Sequence, residues 1–113
     1  VVQTMTVPHL RIYTRAFGTD RDFWREASPQ HHLAAGAKPM LLVCSSLRRD
    51  SCRAANKFAA KATSVGVRTE VVPVAKSHAA IDADLGAPGE YTRAVEAFME
   101  TLDPAIARAL DGR

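Results

Sequence analysis

The spacing of apolar residues changes along the chain, and each change marks a predicted element. Residues 1–7 are β-branched and partly alternating, which predicts a strand remnant or frayed start, closed by Pro8. From 10 to 17, Leu10, Tyr13, Thr14 and Phe17 recur at helical spacing, and Gly18 stands where such a helix ends. A second short helix is predicted from Thr19 or Asp20. It carries Phe23, Trp24 and Ala27 as apolar residues, Asp22 and Glu26 as acids, and Ser28-Pro29 as its stop. Residues 31–36 form a connecting stretch. The run 39–44 is continuously apolar, which suits a strand covered on both faces. Ser51 is placed to cap a helix whose Ala55, Phe58, Ala59, Ala62 and Val65 form one stripe, ended by Gly66. A second strand follows over 67–74, and Pro73 inside it points to a sheet edge or a bulge. A loop with Gly86, Pro88 and Gly89 leads to a helix over 90–102, with Tyr91, Ala94, Val95, Phe98 and Leu102 inward. Asp103-Pro104, a cap followed by proline, opens a last short helix to Leu110.

The order is helix, helix, strand, helix, strand, helix, helix, which is an α/β pattern. A strand–helix–strand crossover is right-handed, so the strands, about 39–45 and 68–75, are parallel. Two parallel strands leave apolar faces and hydrogen-bonding edges uncovered. The chain is therefore expected to be a single partial domain. It comprises a helical segment over 1–36 and a βαβ unit with C-terminal helices over 37–113. Residues outside the chain, or a second copy in a homo-oligomer, would complete the sheet.

Composition narrows the function classes. A chain of 113 residues supports one modest core. The net charge of +3 comes from Lys and Arg dispersed among Asp and Glu, which argues against nucleic acid as a partner. No apolar run approaches a membrane span, and no signal-peptide pattern opens the chain. Cys44 and Cys52 share neither a CxxC spacing nor a nearby histidine pair, so no zinc site is indicated. They read as two reduced thiols of a cytoplasmic protein. A first residue of Val1 agrees with a missing N-terminal portion.

Two residues stand where an open α/β sheet collects reactive groups, in the loops at the carboxyl ends of its strands. Asp50 ends the turn of Leu41-Leu42-Val43-Cys44-Ser45-Ser46-Leu47-Arg48-Arg49-Asp50, and His78 ends Val71-Val72-Pro73-Val74-Ala75-Lys76-Ser77-His78. A carboxylate that accepts an imidazole Nδ1–H fixes the tautomer and stabilises the imidazolium. The imidazole is then a general base near neutral pH. The plainer reading is an aspartate placed favourably at a helix N-terminus and a surface histidine.

Other candidates are weaker. Ser45, Ser46, Ser51 and Ser77 lack the Gly-x-Ser-x-Gly turn that exposes a nucleophilic hydroxyl beside an oxyanion hole. Cys44 and Cys52 have only Arg48, Arg49 and Arg53 as basic neighbours to activate a thiolate. His31-His32 lacks a third metal ligand at a defined spacing and reads as polar loop. Phe23 and Trp24 read as core packing before pocket lining. Arg48 and Arg49 are positioned to keep Asp50 ionised, a solvated turn being the default.

From about residue 10 to 102 the chain resembles the C-terminal segment of α/β-hydrolase esterases and lipases. Three pieces carry the resemblance. Tyr13-Thr14-Arg15-Ala16-Phe17-Gly18, with Ala27-Ser28-Pro29 and His32-Leu33, is similar to the stretch before the family's acid strand. Pro39-Met40-Leu41-Leu42-Val43 with Asp50 resembles the acid strand and loop, and Gly66-Val67 with Glu70-Val71-Val72-Pro73-Val74, then Ser77-His78, resembles the histidine strand. The chain departs from the family at Ser45-Ser46, Ser77 and Ala79, where glycine is usual, and its acid turn is a residue or two longer. Asp82 and Asp84 follow the histidine, against the family's order Ser…Asp…His. The resemblance implies a serine hydrolase fragment in which Asp50 orients His78. The serine and oxyanion donors come from an N-terminal half, a small ester is the substrate, and no metal or organic cofactor takes part. Two other readings use the same residues: a non-catalytic α/β module that dimerises to complete its sheet, and a complementing subunit of a split hydrolase.

Overall fold

A computed structural model of the chain describes residues 1–112, which separate into two compact units, Val1–Ala34 and Ala35 onward. The first unit is helical: α1 (Val2–Met5), α2 (Arg11–Phe17) and α3 (Arg21–Glu26), followed by a single 3-10 turn, Pro29–His31. The strand remnant or frayed start expected over 1–7 is instead a turn of helix. β-branched residues make a strand only when a neighbouring strand takes up their backbone groups. Here the Val2 N–H instead donates to Ser28 Oγ at 2.9 Å, and Met5 is buried. Ser28 is itself buried and donates to the Trp24 carbonyl at 2.6 Å. α2 stops at Gly18, whose φ of 59° is easy only for glycine. α3 starts at Asp20, whose carboxylate accepts from the Asp22 N–H at 2.9 Å. Trp24 is half-buried and its indole N–H donates to the Phe17 carbonyl at 3.0 Å, whereas Phe23 is exposed and not core.

The second unit is mixed α/β. Its elements are β1 (Met40–Ser45), α4 (Arg49–Ser64), β2 (Thr69–Val74), α5 (His78–Ala83), α6 (Glu90–Glu100) and α7 (Pro104–Asp111). β1 and β2 form a two-stranded parallel sheet, in register from Met40↔Thr69 to Ser45↔Val74. α4 packs on this sheet through its predicted stripe: Ala62 is fully buried, and Ala55, Phe58, Ala59 and Val65 are half-buried. With one neighbouring strand each, Leu41, Leu42 and Val43 are only half-buried, not covered on both faces. Tyr91, Thr92 and Phe98 are the buried residues of α6, and the Arg68 guanidinium lies 5.0 Å from the Phe98 ring centroid. Leu102 was expected to point inward but is 42 % exposed, because α6 ends at Glu100 and the residue falls out of helical phase. Asp103 caps α7 as expected, its carboxylate accepting from the Ala105 N–H at 2.7 Å.

Three further expectations change. α4 begins at Arg49, so Ser51 lies in its first turn and is not its cap. Residues 78–83, for which the sequence predicts no element, form α5, capped by Ser77 Oγ accepting from the Ala80 N–H at 3.2 Å. The segment is too short and alanine-rich to show an amphipathic stripe. Cys44 and Cys52, expected as free thiols, are joined in a disulfide with their Cα atoms 5.0 Å apart. The strand–turn–helix folds back on itself and brings two residues eight apart within bridging distance. Among the described residues, no helix is long and apolar enough to cross a membrane.

Candidate functional site

The candidate chemistry lies at the carboxyl edge of the parallel pair, where Ser45 and Val74 are the last residues in register. Just beyond them the Ser46 N–H donates to the Val74 carbonyl at 2.9 Å, so the two segments leave the sheet side by side. Ser45 Oγ donates to the Lys76 carbonyl at 2.6 Å, and the Ser45 N–H donates to Ser51 Oγ at 3.1 Å. The Cys44–Cys52 disulfide ties the same strand end to the first turn of α4.

Asp50 belongs to that first turn and is exposed. Its carboxylate accepts from the Arg48 guanidinium at 2.9 Å. This bond is the main reason its pKa lies below the ordinary value of 3.8, with backbone N–H groups of Asp50 and Ser51 adding to it. Arg48 therefore does what the sequence allowed it to do. His78 is the first residue of α5 and is exposed. Both candidate residues sit in the first turns of the helices that follow the paired strands, and among the described residues no hydrogen bond joins them.

α5 is held at both ends. Ser77 caps its start, Lys76 Nζ reaches across it to Asp84 at 2.7 Å, and Tyr91 Oη donates to the Ile81 carbonyl at 3.1 Å. Asp84 is thereby committed to Lys76, and Asp82 is exposed on α5. Beside β2 lies an open groove of about 600 Å³ whose walls include Val72, Val74, Lys76, Pro88 and Tyr91; neither Asp50 nor His78 lines it. Among the described residues no cluster of His, Cys, Asp or Glu could hold a metal ion. His32 Nε2–H donates to the Glu26 carbonyl at 2.6 Å.

Sequence reasoning weighed Ser45 only as a nucleophile and missed it as a link between the two turns. It also missed the disulfide and the Lys76–Asp84 pair. The short Cys44-to-Cys52 spacing was the one available signal for any of these. No protein-family model, curated protein or solved structure matches the chain.

Proposed function

We propose that this chain is the acid-and-histidine side of a serine hydrolase of the carboxylesterase or lipase type, part of an α/β-hydrolase sheet whose serine-bearing portion lies outside these residues. The observation that carries the reading is the shared carboxyl edge of two parallel strands, one followed by Asp50 and the next by His78. His78 takes the proton of the serine hydroxyl as its oxygen attacks the ester carbonyl, then returns that proton to the departing alcohol. Water repeats the sequence on the acyl-enzyme. Asp50 orients the imidazole, and to do so its carboxylate exchanges Arg48 for His78. Both side chains are exposed, so the exchange carries no large desolvation cost. The reaction calls for no metal or organic cofactor.

The disulfide bears on the setting. Such bonds persist in oxidising compartments, so it supports one of these and removes the reduced-thiol argument for the cytoplasm.

The test uses the polypeptide that carries the nucleophilic serine together with this chain, assayed on p-nitrophenyl acetate. His78→Ala should lower kcat by about 10³-fold or more, and Asp50→Asn by up to about 10⁴-fold. Retention of most activity by His78→Ala sinks the reading; a mild Asp50→Asn moves the acid elsewhere. One observation favours the non-catalytic alternative: among the described residues the two-stranded sheet has an unpaired edge on each strand, which a second copy would also cover.

A further inference from the structure

Ser45 occupies the last position of β1 and is 2 % exposed. Its two hydrogen-bonding arms point to different turns. The backbone N–H reaches Ser51 Oγ at 3.1 Å, next to Asp50 in the first turn of α4. The side-chain hydroxyl reaches the Lys76 carbonyl at 2.6 Å, two residues before His78. Among the described residues, this second bond alone joins residues 75–77 to β1 or to the turn after it. The Ser46-to-Val74 bond stops one residue short of that stretch. Ser45 is buried, so its hydroxyl is costly to leave unpaired, which holds this link firmly.

Resting on the hydrolase reading, we propose that Ser45 is a positioning residue that sets the spacing between Asp50 and His78. The disulfide and the Ser51 bond hold the acid turn against the end of β1. The Ser45 hydroxyl then holds the histidine turn against that same point. Without the hydroxyl, α5 keeps its own cap, its Lys76–Asp84 brace and its packing on β1 but loses its hydrogen-bonded link to the end of β1. The histidine then shifts as a unit with α5. Displacements on the scale of 1 Å at a reacting group cost up to about 10²-fold in rate.

The experiment compares Ser45→Ala, Ser45→Thr and His78→Ala in the polypeptide that carries the nucleophilic serine. The substrate is p-nitrophenyl acetate, and active sites are counted from the burst of p-nitrophenolate. Ser45→Ala should lower kcat per active site about tenfold while leaving KM within about twofold, and Ser45→Thr, which restores a hydroxyl, should recover most of the loss. A serine that matters only for folding would reduce the number of active sites and leave kcat per site unchanged; that result overturns the proposal. If His78→Ala abolishes turnover while Ser45→Ala leaves kcat per site unchanged, the positioning role falls and the triad stands. If His78→Ala is fully active, the triad itself falls and the positioning role falls with it.

Discussion

At the scale of single residues, Arg48 and Ser45 matter most to the candidate site. Arg48 holds Asp50 as a carboxylate, and the direction of the shift decides the pH behaviour. The folded pKa is lowered, so the pairing is fully present above the ordinary value of 3.8 and is lost as pH falls through the lower folded value. Both partners are more than half exposed, so solvent and salt screen the pair and its part in stability is slight. Arg48→Ala should raise the Asp50 titration midpoint towards 3.8, read from the side-chain carboxyl ¹³C shift in an NMR titration. An unmoved midpoint would show that backbone N–H groups, not Arg48, set it. Residue identity made Arg48 legible, since a cation two positions from an acid in a turn is within reach whatever the rest of the fold. Ser45 was not legible, because its partner Lys76 lies 31 residues away and only the parallel register brings the two together.

Among the elements, those governed by local signals were read well. The stops at Gly18 and Gly66, the helix start at Thr19 or Asp20, the cap at Asp103 and the stripe of α4 each depend on a few adjacent residues. The misread elements, α1 and α5, are 4 and 6 residues long, too short for periodicity to declare itself. The strand–turn–α4 element has a covalent brace that periodicity does not reveal. A disulfide spanning eight residues should contribute about 2.5 kcal/mol by restricting the unfolded chain. Reduction by a dithiol should therefore lower the Tm of the chain by roughly 10 °C, measured by circular dichroism with and without reductant. An unchanged Tm would mean that the unfolded chain is not loosened by reduction. The brace also keeps the acid turn close to the sheet edge, which is where the Ser45 link needs it.

For the whole molecule, the second unit has a two-stranded sheet with helices around it, and each strand has one unpaired edge among the described residues. Such edges recruit further strands. Sedimentation equilibrium of the chain on its own should show a mass rising above 12.2 kDa with concentration. A constant 12.2 kDa would remove the self-pairing alternative. The sequence by itself determined the α/β class, the two strands, the main helices and the two candidate site residues, because helical period, caps, glycine stops and strand runs are written in neighbouring residues. Only the tertiary structure decided that Cys44 and Cys52 are bonded, that Arg48, of the two arginines the sequence offered, pairs with Asp50, and that Ser45 links the two turns. The disulfide and the Ser45 link depend on distances closed by chain reversal and strand register, and Arg48's grip on Asp50 depends on how the turn folds. Residue order alone does not specify these until the chain has packed.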